Sequence, residues 1–148
     1  MARTGLRLRL SLCLDTNTLI DVVNGKAIVR QRFEATLDSG AEVFTSSISA
    51  QEIMFGALIS KQPDEEFAAA RKVLDRITVA AFSDGDAEAS ARLQAELRDI
   101  GQSIGSFDTL IAGQCLNRAW AVVTANVREF SRVPDLTVIN WTIDPESP

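Results

Sequence analysis

Hydrophobic positions along the chain fall alternately into short continuous runs and helical spacing. Leu10-Ser11-Leu12-Cys13-Leu14 reads as a short buried strand that stops at Asp15-Thr16-Asn17, after which Leu19, Ile20, Val22 and Val23 mark a helix. A second helix is expected over Ala27 to Leu37, broken by Asp38-Ser39-Gly40, and Glu42-Val43-Phe44-Thr45 reads as the next strand. Ser47 to Ser60 has helical periodicity, with Ile53, Met54, Ala57 and Leu58 on its apolar face. Pro63 opens another helix carrying Phe67, Ala70, Val73 and Leu74, and a strand follows at Ile77-Thr78-Val79-Ala80. Asp84 or Asp86 is placed to cap a long helix with Leu93, Leu97 and Ile100 on one face, which Gly101 ends. Ser106 starts a helix with Phe107, Leu110, Ile111 and Cys115 on one face; Ala121-Val122-Val123-Thr124 and Thr137-Val138-Ile139-Asn140 are strands.

Strands alternating with helices predict an α/β fold with a mainly parallel sheet covered on both faces. Such sheets bind ligands beyond the carboxyl ends of their strands. Asp15 would end the first strand and Thr124 and Asn126 the fourth. Glu52 and Asp108 would sit in first turns of helices starting on the same edge.

Composition narrows the chemistry. With 148 residues, 46% hydrophobic, the chain matches one domain with a proper core, and no repeat or linker interrupts it. The formal charge of −5 argues against holding nucleic acid by bulk electrostatics, so a nucleic-acid partner needs a local basic rim. Arg3, Arg7 and Arg9 interrupt the N-terminal leucines, and no later run approaches spanning length, which implies no membrane segment and a cytoplasmic protein. Cys13 and Cys115 lie on apolar faces and read as reduced core residues. The chain has no histidine and no tyrosine, so its polar chemistry falls mainly to carboxylates. Carboxylates gathered together repel, and a divalent cation relieves that repulsion, which makes Asp15, Glu52 and Asp108 candidate Mg²⁺ or Mn²⁺ ligands.

Each acid also has a local role that explains it without a metal. Asp15 is a plausible helix N-cap, Ser49-Ala50-Gln51-Glu52 fits a capping box, and Asp108 gains from the dipole of a helix starting at Ser106. The residues around the acids are what capping leaves unexplained.

Leu14-Asp15-Thr16-Asn17-Thr18-Leu19-Ile20 resembles the opening motif of PIN-domain nucleases. Ser47-Ile48-Ser49-Ala50-Gln51-Glu52-Ile53 with Gly56-Ala57 resembles their second motif, Ile104 to Ala112 the third, and Val123-Thr124-Ala125-Asn126-Val127-Arg128-Glu129-Phe130-Ser131-Arg132-Val133 the fourth. Within that superfamily the likeness is to VapC, the toxin of bacterial VapBC pairs, in the group associated with the anticodon stem-loop of initiator tRNA. It runs from about Leu12 to Trp141 and implies one PIN domain over residues 1–148, an α/β/α sandwich, with residues 1–10 a possible extension.

The resemblance assigns Asp15 and Asp108 as principal metal ligands and Glu52 as the acid that completes the site directly or through water. Thr16 and Asn17 match residues that orient the first aspartate, and Thr124 a small hydroxyl residue near the metal. Asn126 departs from the fourth acid of many PIN domains, implying a lower-charge site that leans on substrate phosphate. The implied activity is a Mg²⁺-dependent endoribonuclease, with Mn²⁺ able to substitute, leaving 5′-phosphate and 3′-OH ends. Arg128 and Arg132, and Lys26 and Arg30, are candidate phosphate contacts, each pair having solvated helix surface as its simpler explanation. The resemblance further implies a homodimer, a VapB-type antitoxin that blocks the cleft, RNA as substrate, and operator DNA met only through the antitoxin. Ile53, Met54 and Phe67 are read as core before dimer surface. Two other readings stand beside this one. A phosphatase with Asp15 as nucleophile lacks the second aspartate at Asn17; a catalytically inactive PIN-like module would act only through its partner protein.

Overall fold

A computed structural model describes residues 10–144. The question of residues 1–10 as an extension therefore falls, Leu10 apart, outside the described residues. The elements are β1 (Leu12–Leu14), α1 (Thr16–Val23), α2 (Ala27–Asp38), β2 (Val43–Ser46), α3 (Ser47–Leu58), α4 (Pro63–Leu74), β3 (Thr78–Ala80), α5 (Asp84–Asp99), α6 (Ser106–Arg118), β4 (Ala121–Val123), α7 (Val127–Phe130) and β5 (Val138–Ile139). The strands pair in the order β3-β2-β1-β4-β5, all parallel.

Side chains of a strand alternate between faces, and β1 and β4 divide accordingly between two cores. Leu12, Leu14, Ala121 and Val123 join Leu19, Val22, Phe33 and Leu74 under α1 to α4. Cys13 and Val122 join Leu93, Leu97, Ile111, Cys115 and Phe130 under α5 and α6. A parallel sheet buried on both faces explains the near-continuous apolar runs of these strands. Gly113 lets α5 and α6 approach, because a Cβ there would lie 2.5 Å from Ser90 Cα.

Asp86 ties the same two helices together. Its carboxylate, with 0% of the residue exposed, accepts from Asn117 Nδ2 (2.8 Å), Arg118 Nε (3.1 Å) and Nη2 (2.9 Å), and Gln114 Nε2 (3.3 Å). Burial opposes its ionisation, but these donors and the Ser83 N–H win, lowering its pKa to about 2.

Several expectations are corrected. β1 begins at Leu12, with Leu10 exposed. Ser83, not Asp84 or Asp86, caps α5, and Asp86 is the N3 partner in a capping box. The Ser49–Glu52 capping box does not form: Ser46 caps α3, which places Ser49 inside the helix. Leu58, Ile100 and Phe107, expected on buried faces, are 56%, 59% and 54% exposed. Ile53 is core, with Met54 packed against it, whereas Phe67 is half-buried and joins neither core; Cys13 and Cys115 are buried free thiols, as expected. Among the described residues no helix is long and apolar enough to cross a membrane.

Candidate active site

β1 and β4 are neighbours, yet the chain builds outward from β1 through β2 to β3 on one side and crosses back to build β4 and β5 on the other. A crevice opens where connections diverge in this way, beyond the carboxyl ends of the strands. Asp15 is the first residue past β1 and Thr124 the first past β4. α3 follows β2 without a loop and carries Glu52, and the first turn of α6 carries Asp108.

Asp15 is 4% exposed and caps α1, accepting from Thr18 N at 2.8 Å. Its own N–H donates to Val123 O, and Thr18 Oγ1 donates to the same carbonyl at 2.9 Å, which locks the end of β1 to β4. Burial raises the Asp15 pKa, while hydrogen bonds from Thr124 and Thr18 oppose the rise. Thr124 Oγ1 also accepts from Asn126 N at 2.9 Å, linking the first aspartate to the fourth motif.

Thr16 Oγ1 donates to Glu52 Oε1 at 2.7 Å, so this threonine orients the glutamate, where the sequence reading had assigned it to Asp15. Asn17 is exposed and forms no hydrogen bond with the Asp15 side chain; the backbone of Thr18 does that work.

Asp108 is half-buried and accepts from Asn126 Nδ2 at 3.2 Å; the same amide donates to Glu129 Oε2 at 3.0 Å. Burial, then a hydrogen bond shared with Glu129, then the charges of Glu129, Asp15 and Glu52 push the Asp108 pKa up to about 7. Glu129 moves the other way, held ionised by the Asn126 amide, the bond from Asp108 and the Gly105 backbone N–H. The two carboxyls titrate as a coupled pair, Asp108 pushed up and Glu129 down.

Glu129 joins this cluster although none of the motif residues singled out in the sequence pointed to it. Position 126 carries an amide where many PIN domains carry a fourth acid, which on its own implies a lower-charge site. The acid stands three residues later, on α7, with Asn126 as its bridge to Asp108. The available signal was the i, i+3 spacing of Asn126 and Glu129.

Among the described residues no lysine or arginine is ion-paired with Asp15, Glu52 or Asp108. Nor do three of their acids or thiols form a group able to hold a metal ion unaided. The donors still suit a hard cation: all are oxygens, and the charges of Glu129, Asp15 and Glu52 add to burial in raising Asp108. Mg²⁺ commonly uses one or two carboxylates, completing its octahedron with water and substrate phosphate rather than a full protein cage. Lys26 and Arg30 are occupied elsewhere, Lys26 with Asp21 and Arg30 with Glu34 and the Val22 carbonyl at the end of α1. Arg132 Nη1 donates to Ser103 O, pinning the loop before α6, whereas Arg128 is exposed and makes no ion pair among the described residues.

The PIN-domain family model matches residues 12–136. Over 134 residues the chain is 35% identical to the tRNA(fMet)-specific endonuclease VapC of Shigella flexneri, covering 90% of this chain and 99% of the relative. The chain belongs to the PIN-domain family, in its VapC branch. The likeness extends to three dimensions: this PIN domain matches a chain of the DNA-bound VapBC complex of Salmonella typhimurium with a TM-score of 0.82 and 32% identity, covering 89% of this chain and 98% of that one. Against VapBC2 of Rickettsia felis, bound to a promoter DNA fragment, the TM-score is 0.83 at 27% identity, covering 89% and 99%.

Proposed function

We propose that this PIN domain is the endoribonuclease toxin of a VapBC-type toxin–antitoxin pair, hydrolysing RNA phosphodiester bonds with Mg²⁺. The observation that carries the mechanism is geometric: Asp15 at the end of β1, Glu52 held by Thr16 and Asp108 held by Asn126 lie at one edge of the sheet, with no ion-paired cation among the described residues. Asp15 and Asp108 would ligate the ion, with Glu52 reaching it directly or through water. When bound, the metal supplies charge that lowers the pKa of an attacking water and neutralises the developing negative charge on phosphorus.

The chain's own residues prepare this chemistry. Thr18, Thr124 and the cap geometry fix Asp15, and Thr16 fixes Glu52 in an orientation it would otherwise sample freely. The Asn126 amide holds Asp108 and Glu129 side by side. Glu129, kept ionised beside Asp108, adds its negative charge to the acids that a cation would neutralise. Arg128, exposed on α7, offers a cation to a flanking phosphate. No histidine or 2′-OH attack is required, so the products carry 5′-phosphate and 3′-OH ends.

Regulation follows from the same surface. A groove of about 380 Å³ between α1, α3 and α4 is lined by Ile20, Val23, Ile53 and Ala57, with Glu52 in its wall and Glu65 and Glu66 along it. An antitoxin segment that is apolar with basic residues fits that lining and would bring a cation to the acids. The relatives of known structure are VapBC complexes, which supports a VapB-type partner. Exposed Phe55, Leu58 and Ile59 at the end of α3 suit a homodimer contact.

Antitoxin-free protein incubated with total bacterial tRNA and Mg²⁺ tests the reading. Discrete cleavage ending in 5′-phosphate, abolished by EDTA and by Asp15→Asn or Asp108→Asn, is the expected result. A 2′,3′-cyclic phosphate would exclude the mechanism, and no cleavage by folded protein would favour the inactive module.

A further inference from the structure

Phe107 occupies the first turn of α6, one residue before Asp108, and is 54% exposed. It belongs to neither hydrophobic core, and both tryptophans are buried, so among the described residues Phe107 and Phe55 are the exposed aromatic rings. Ser103, Gly105 and Ser106 beside it are exposed and small, while Ile104 turns into the second core. The ring thus stands singly, without the broad apolar surround that a protein partner buries.

Its position joins it to the reacting centre. Asn126 and Glu129 fasten the start of α7 to Asp108, and the adjoining Val127 and Arg128 are exposed. The edge of the site formed by α6 and α7 therefore presents a ring, an aliphatic side chain and a cation beside acids that repel phosphate. A nucleotide whose base is unpaired matches this edge, its base offering a flat apolar face and its phosphate a negative charge. A base inside a duplex has no free face to offer.

We propose that Phe107 is a stacking platform for an unpaired base next to the scissile phosphate. This rests on the ribonuclease reading and adds a substrate-contacting residue to it. Stacking of one base on one ring is typically worth about five- to 150-fold in binding.

The test uses a synthetic RNA hairpin spanning the cut found in the tRNA digest, with Phe107→Ala, Phe107→Leu and Phe107→Trp. Phe107→Ala should lower kcat/KM by about fivefold or more, chiefly through KM; Phe107→Trp should retain activity and Phe107→Leu should fall with Ala. An abasic nucleotide beside the cut should slow the wild type by a similar factor and erase the difference between wild type and Phe107→Ala. The inference is overturned if Phe107→Leu matches the wild type, or if the alanine defect persists with every abasic substrate. It is equally overturned if Phe107→Ala cleaves normally and loses only inhibition by antitoxin. Wild-type protein that cuts no RNA would instead remove the ribonuclease reading, a distinguishable failure.

Discussion

Replacing Asp86 with asparagine preserves shape but removes the charge and turns one acceptor oxygen into a donor facing other donors, so it reports what the whole carboxylate contributes to joining α5 and α6. The side chain is fully buried and accepts from Asn117 and two nitrogens of Arg118 on α6, the latter 31% exposed at its own side chain, and from the N–H of Ser83, the cap of α5. Lowering its pKa from the ordinary 3.8 to about 2, at about 1.4 kcal/mol per tenfold change in proton affinity, stabilises the ionised fold by about 2 kcal/mol. In a chain of this size about 2 kcal/mol corresponds to roughly 4–8 °C in Tm. The sign in pH follows from the depressed value. The unfolded chain binds the proton first, so the stabilisation is complete above about pH 5 and is lost as pH falls from about 4 toward 2. Thermal and urea melts of wild type and Asp86→Asn from pH 3 to 7 should therefore show a gap that is constant near neutrality and closes on acidification. RNA cleavage at 25 °C should survive, because Asp86 lies outside the catalytic cleft. A gap below about 0.5 kcal/mol at pH 7, or one that widens in acid, would refute the argument.

Three further outcomes are expected. Gly113→Ala drives a methyl into Ser90, whose Cα and backbone nitrogen would lie 2.5 and 2.7 Å away; calorimetry should show a loss of about 1–3 kcal/mol as α5 and α6 are forced apart. Thr16→Val removes the 2.7 Å bond that holds Glu52 and should lower cleavage about 10- to 100-fold with unchanged circular dichroism, whereas Thr16→Ser should restore most of it. Arg128→Glu should raise KM several-fold at low salt and less at high salt, since an exposed charge is screened; cleavage unchanged at every ionic strength would remove Arg128 from the substrate path.

The parallel sheet was legible because each strand is a short apolar run and each helix a periodic one, and both patterns follow from burial on two faces. What periodicity cannot report is how far a neighbour extends. Leu58, Ile100 and Phe107 lie at the ends of their helices, and the faces the spacing assigned them are not covered there, leaving all three exposed. α7 was illegible as a helix because four residues make too little periodicity to detect, and that concealed Glu129. Distance between segments was equally invisible: nothing local in Thr16 announces that its hydroxyl reaches across 36 residues to Glu52.

Capping and metal ligation, alternatives for Asp15 in the sequence, are compatible in one arrangement. The carboxylate accepts from Thr18 because it caps α1, and that bond fixes the side chain at the end of β1, where burial raises its pKa and prepares it to lose charge repulsion to a cation. Glu52 presents the opposite case. The capping box proposed for it is absent, Ser46 having taken the cap, so no bond to its own helix terminus holds its carboxylate and the threonine following Asp15 does. Two residues adjacent in the first motif thus secure two different acids: Asp15 by its place at the strand end, and Glu52 through Thr16. A substitution at Thr16 should consequently separate orientation from ligation, slowing cleavage while leaving the Asp15 cap and the stability of α1 intact.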